Sequence, residues 1–284
     1  MSAARLTLQT RDGQQLAAYC HEPSRTPRAQ VVIAPGMAIP QGFYAAFAAF
    51  LAGLGYRVWT FDYRGMGESR NGSLRHCKAD ITTWIAVDFE TVVQHATAQD
   101  AGLPLFLLGH SLGGQTAPLL PSFQKAAGLI NIAVGSGATR HNQPRIQRSA
   151  PLLWHVLTPV FCKLLGYFPG KRLGILGDIP RGAMLQWRRW CLTPDYLLSG
   201  EPGAREAYAS ARFPVLGLTF TDDELLLESG SRMLHDAYTG AQVDYRVLSP
   251  HSFNQERIGH FGFFKSHQEK VLWPLVGEWL NQHS

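Results

Sequence analysis

The chain has 284 residues, of which 45% are hydrophobic and 17% charged. That balance excludes intrinsic disorder, and 28 Gly with 17 Pro are too few for a low-complexity chain. The net charge of +5 is concentrated in residues 140–212, where eleven Lys and Arg stand against four Asp and Glu. No recognition motif accompanies this excess, so it reads as a solvated basic face and not as a nucleic-acid surface.

Cys20, Cys77, Cys162 and Cys191 show no C-x-x-C spacing, so neither a zinc ribbon nor a dithiol redox site is expected. Four scattered thiols fit a reducing compartment. Residues 1–13 are polar and lack the apolar run of a signal peptide. The longest apolar stretch, 43–54, is shorter than the ~18 residues of a membrane span. A cytoplasmic protein without stable membrane insertion is expected; the sequence allows a homo-oligomer but does not specify one.

Residues 6–10 and 15–20 alternate around Arg11-Asp12-Gly13, and Asp-Gly supplies the positive φ of a tight turn, so a β-hairpin is predicted. Residues 30–34, ending at Pro35-Gly36, read as a buried parallel strand, apolar on both faces. Residues 43–55 are rich in Ala and Leu and stop at Gly55, the pattern of a helix with a glycine C-terminal cap. A strand follows at 56–61, a helix at 81–99, a buried strand at 104–108, a helix at 112–120 and a strand at 129–134. The pattern breaks at Gly135-Ser136-Gly137. It resumes with a strand at 215–220, a helix at 228–238, a strand at 243–248 and a final helix at 268–281.

Strands alternating with helices imply βαβ units, hence an α/β fold: a mostly parallel eight-stranded sheet with helices on both faces. The interruption at 138–213 holds three of the seven tryptophans and the basic excess. It is expected to form a mainly helical cap inserted into a core built from 1–137 and 214–284. No internal repeat is present.

Between the strand at 104–108 and the helix at 112–120 stands Gly109-His110-Ser111-Leu112-Gly113-Gly114. A nucleophilic serine needs a sharp strand-to-helix turn, with glycines where the backbones approach closely. The helix that follows aims free N–H groups at charge developing on an acyl oxygen. A Gly-rich turn with a capping serine would share the pattern, but its place between a buried strand and a helix favours the nucleophile.

With this segment and Phe61-Asp62-Tyr63-Arg64-Gly65-Met66-Gly67-Glu68-Ser69, similar to a D-x-R-G-x-G-x-S bracing turn, the sequence resembles the α/β-hydrolase superfamily outside the cap. The resemblance implies that Ser111 is the nucleophile and that the N–H groups of Met37 and Leu112 form the oxyanion hole. Many members carry His-Gly where this chain has Pro35-Gly36. The acid should precede the histidine in the chain. Laying the strand at 215–220 on its family counterpart places the acid on Asp223, with Asp222 and Glu224 as alternatives. Gly259-His260-Phe261-Gly262-Phe263-Phe264 resembles the family stretch at the catalytic histidine, which makes His260 the general base, with His251 the competitor.

His110 reads as an oriented neighbour of the nucleophile and, with Trp187 and Trp190, as a candidate substrate contact. Met184, Trp187 and Trp190 recur every third residue, as either a core stripe or a substrate-contacting wall. His141 and His155 have no ligand-spaced partners, so no metal and no cofactor are expected. The implied function is a serine hydrolase acting on an ester, thioester or amide of a small to medium-sized, partly apolar molecule, with the basic excess at 140–212 leaving room for an anionic one. An acyltransferase with the same triad and a non-enzymatic ligand-binding protein are the alternatives.

Overall fold

The structure, a computed structural model, describes residues 3–284. In chain order the strands are β1 (Ala3–Gln9), β2 (Gln15–His21), β3 (Ala29–Ala34), β4 (Tyr56–Phe61), β5 (Leu105–His110) and β6 (Gly128–Ile132), then the two-residue strands β7 (Tyr167–Phe168) and β8 (Ile179–Pro180), then β9 (Val215–Phe220) and β10 (Val243–Leu248). All but β7 and β8 form one eight-stranded sheet in the order β1-β2-β4-β3-β5-β6-β9-β10. The pairs β1–β2 and β2–β4 are antiparallel, and every later pair is parallel. Gly13, with φ of 82°, turns the first hairpin at the predicted Asp-Gly.

Alternate side chains of the central strands enter two separate cores. Val32, Leu107 and Leu129 pack on one face with Ile85, Phe89, Val92 and Ala96 of the stretch 81–99. Val31, Ile33, Phe106, Leu108 and Ile130 pack on the other with Phe47 and Leu51 of the helix Ala45–Gly53 and with Val276 and Trp279 of the helix Trp273–His283. Burial on both faces is why these strands read as continuous apolar runs.

Three helices depart from their sequence expectation. The helix after β5 ends at Thr116 and continues as a 3-10 turn over Ala117–Leu119, because Pro118 has no N–H to donate. The stretch 81–99 widens to a π-helix over Trp84–Phe89. The final helix starts at Trp273, with Pro274 in its first turn, where the missing N–H costs nothing.

Between β6 and β9 the chain leaves the sheet. It forms the helices Pro144–Leu152, Thr158–Leu164, Arg181–Cys191 and Ala204–Ala209, together with the small β7–β8 pair that sequence periodicity did not signal. The segment is tied to the core through Gln115. Its Oε1 accepts from Tyr196 Oη at 2.8 Å, Tyr196 Oη accepts from Trp187 Nε1 at 3.1 Å, and Gln115's main-chain carbonyl accepts from Tyr208 Oη at 2.5 Å. Among the described residues no helix is long and apolar enough to cross a membrane.

Candidate active site

Ser111 sits between β5 and the helix Leu112–Thr116 with φ 50° and ψ −117°, a strained conformation for a residue with a side chain. Close packing enforces it. A Cβ on Gly109 would lie 2.2 Å from Gly114 N, and one on Gly113 would lie 2.2 Å from the Ala34 carbonyl oxygen. The turn is held by Ser111 N–H donating to the Ile132 carbonyl at 3.1 Å. As the first helical residue, Leu112 has no intrahelical acceptor for its N–H. The Met37 N–H, in the turn after β3, makes no main-chain hydrogen bond among the described residues. The two amides expected to hold an oxyanion thus belong to the β3 and β5 ends, which are adjacent in the sheet.

The three carboxylates after β9 all engage the histidine segment, each differently. Asp223 Oδ2 accepts from His260 Nδ1 at 2.7 Å, with both side chains buried. Its Oδ1 accepts from the N–H groups of Leu225 and Leu226 at 2.8 and 2.9 Å. Burial pushes the Asp223 carboxyl up, but the neighbouring His260 and these hydrogen bonds outweigh it and hold the group below the ordinary carboxylate range. Asp222 Oδ2 accepts from the Ile258 and Gly259 amides, and Glu224 Oε2 from the His260 amide at 2.8 Å. Of the three, Asp223 is the one whose carboxylate meets the imidazole. His260 lies on a short helical turn, Gly259–Gly262, while His251 is exposed in the turn after β10.

His110 is fully buried. Its Nε2 lies 3.0 Å from the His260 carbonyl oxygen, which only accepts, so Nε2 carries the proton. Its Nδ1 then accepts from Tyr44 Oη at 2.9 Å, and Tyr44 Oη accepts from the Gly36 N–H at 2.9 Å. Burial, reinforced by nearby His260, pushes His110 down to about 3, so the ring is neutral. The chain Gly36–Tyr44–His110–His260 joins the turn after β3, the serine turn and the histidine segment. Tyr44 carried no sequence signal, because its partners are distant in the chain.

The Asp62 turn braces the same region. Its carboxylate accepts from the Gln41 and Glu68 amides at 2.8 and 2.9 Å, and its carbonyl accepts from Ser69 Oγ at 2.7 Å. Gln41 ends the loop that begins at Gly36, so Asp62 fixes the far end of the Met37 turn. Arg64 bridges Asp12 and fully buried Asp88.

Met184 and Trp190 are fully buried, and the Trp190 indole donates to Glu201 at 2.9 Å; both are core. Trp187 is half-buried, edge-on to Trp154 with ring centres 5.2 Å apart. Trp154 lines a cavity of about 340 Å³ in the inserted segment, along with Ala138, Arg140, Ala150, His155 and Leu192. The basic side chains of this segment lie at the surface: Arg145, Arg148, Lys163, Lys171 and Arg172 are exposed, and Arg140 and Arg205 share Asp195. No cluster of three or more His, Cys, Asp or Glu suited to a metal occurs among the described residues.

The family profile for serine aminopeptidase, S33, matches residues 25–172. Human monoglyceride lipase is 33% identical over 111 residues, 38% of this chain and 35% of that protein. Monoacylglycerol lipase of Mycolicibacterium smegmatis is 37% identical over 92 residues, 32% of each chain. These matches span about a third of the relatives' length. Among solved structures, a soluble variant of monoglyceride lipase from Saccharomyces cerevisiae in complex with a substrate analogue aligns with a TM-score of 0.71 at 18% identity, covering 100% of this chain and 96% of that one. A carboxyl esterase from Bacillus coagulans aligns with a TM-score of 0.64 at 14% identity over 100% and 99% of the two chains. With its eight-stranded sheet and the profile matching more than half its length, the chain belongs to the serine aminopeptidase S33 family and has the α/β-hydrolase fold.

Proposed function

We propose that this protein is a serine hydrolase that cleaves carboxylic esters of small to medium-sized, partly apolar molecules through an acyl-enzyme intermediate. The observation that carries this reading is the buried 2.7 Å contact between Asp223 and His260 Nδ1, with the His260 carbonyl hydrogen-bonded to His110, the residue before the strained Ser111. Asp223 fixes the tautomer with Nδ1 protonated, which leaves Nε2 bare to take the Ser111 proton. Ser111 Oγ attacks the ester carbonyl, and the oxyanion is held by the Met37 and Leu112 N–H groups. His260 passes the proton to the leaving alkoxide, then activates the water that releases the acid. Each oxyanion donor contributes roughly 10²–10³ in rate.

The relatives' names supply the first substrate to test, a monoacylglycerol. The four unpaired thiols support a reducing, cytoplasmic setting.

Turnover of monoacylglycerols and p-nitrophenyl esters of graded chain length tests the assignment. Hydrolysis by the wild type and its loss in Ser111→Ala are expected. Equal turnover by the two proteins, or none of any ester by the folded wild type, would overturn it.

A further inference from the structure

Resting on the hydrolase reading, we infer that Glu224 is a positioning residue that holds the general base by its main chain. Three successive amides, those of Ile258, Gly259 and His260, donate to carboxylates that flank the triad acid: the first two to Asp222 and the third to Glu224. His110 Nε2 takes the His260 carbonyl from the opposite side at 3.0 Å. His260 is therefore gripped at its N–H, its C=O and its ring Nδ1 by three different side chains. The Nδ1–Asp223 bond restrains the two side-chain torsions of the imidazole, and fixing the peptide groups on either side of the residue holds the Cα from which the ring hangs.

The local backbone is shaped for this grip. Gly259 has φ of +64°, and a Cβ there would lie 2.5 Å from Glu224 Oε2, so any other residue at 259 would push the carboxylate off the His260 amide. Arg257 Nη2 holds the second oxygen of Glu224 at 3.3 Å, which leaves Oε2 directed at the amide. Glu224 is partly exposed, so it is not there to fill the core. It does not touch the imidazole and has no part in the proton transfers.

The test compares Glu224→Ala with Glu224→Gln. The glutamine keeps one oxygen that accepts the His260 N–H, its NH₂ turning the exposed Arg257 out to solvent, and the alanine keeps none. Misplacing a reacting group by about an ångström costs up to about 10²-fold. Glu224→Ala should therefore lower kcat on a p-nitrophenyl ester about ten- to hundredfold with KM and thermal midpoint unchanged, and Glu224→Gln should stay within about threefold of wild type. Hydrogen exchange at the His260 amide gives a readout independent of turnover: faster in the alanine variant and close to wild type in the glutamine variant.

Wild-type kcat in Glu224→Ala, equal losses in both variants, or unchanged amide exchange in Glu224→Ala would each overturn the proposal. Failure of the hydrolase reading would show separately, as a folded wild type that turns over no ester while the exchange pattern persists.

Discussion

Asp223→Asn tests whether the carboxylate sets the imidazole tautomer or merely fills space. In the native protein Oδ1 accepts two main-chain N–H groups, at 2.8 and 2.9 Å, and Oδ2 accepts the His260 Nδ1–H at 2.7 Å. An asparagine has one accepting oxygen. The amides of Leu225 and Leu226 can only donate, so that oxygen must face them and the NH₂ group must face His260. To avoid two opposed donors, the ring must lose its proton at Nδ1 and carry it on Nε2, where it can no longer accept from Ser111. Geometry is nearly conserved while the base is disabled, a loss of about 10⁴ in kcat, or roughly 5.5 kcal/mol of transition-state stabilisation. Asp222→Asn provides the contrast. Its accepting oxygen can keep both the Ile258 and Gly259 amides, and a change of less than about tenfold is expected. Stopped-flow and steady-state hydrolysis of a p-nitrophenyl ester measures both. A folded Asp223→Asn protein within tenfold of wild type, or an Asp222→Asn loss as large as that of Asp223→Asn, would refute the reasoning.

Three further outcomes are expected. Gly113→Ala places a Cβ 2.2 Å from the Ala34 carbonyl, a backbone atom that cannot step aside, so the serine turn must shift. Urea titration should show a loss of about 1–3 kcal/mol, and ester turnover a loss of about 10²-fold; wild-type values in both would count against the tight-turn account. Tyr196→Phe strips buried Gln115 Oε1 of its donor and half-buried Trp187 Nε1 of its acceptor, so unfolding should require about 1–3 kcal/mol less, mostly for the Gln115 oxygen, while an unchanged urea midpoint would show that the inserted segment is anchored elsewhere. Acid should destabilise the fold. Burial holds His110 down to about 3 and His235 down to about 4, against the 6.5 of an exposed ring, so below pH 6.5 the unfolded chain binds two protons that the folded chain refuses. Asp88, pushed up to about 6 by burial, binds one in the folded state over the lower part of that range and offsets one histidine. Together these three groups contribute a loss of about 1.4 kcal/mol per unit between pH 6 and 4; His21, His95 and His141, also held down by burial, act in the same direction and buried Asp62 against it, and urea midpoints that stay flat or rise toward acid would contradict the account.

The sheet was legible because its signals are local. Strands such as 30–34 and 129–134 are apolar on both faces, and each is followed by a turn signal. The serine turn was legible for the same reason, since Gly109, Ser111 and Gly113 must be close in sequence to be close in space. Helix ends were less so: Pro118 and Pro274 mark the true limits of two helices, but periodicity ran past the first and started before the second. What escaped sequence reading depends on contacts across the chain. Residue properties alone did not separate Asp222, Asp223 and Glu224; the family resemblance put the acid on Asp223, and the path of the 258–260 segment is what brings that carboxylate to the imidazole. Tyr44 gave no sign of its part, because Gly36 and His110 reach it only after β3 and β5 pair. Trp187 and Trp190 share a spacing, yet one is half-buried and the other is core, a distinction made by the neighbouring Tyr196 and Glu201.

The central claim is that Ser111 is activated by His260. Labelling with a fluorophosphonate, followed by mass mapping of the modified peptide, tests it most directly. The account predicts one adduct on Ser111 in the wild type, none in Ser111→Ala, and labelling slowed by at least about 10³-fold in folded His260→Ala. An adduct on another residue, or a His260→Ala protein that labels at the wild-type rate, would contradict it.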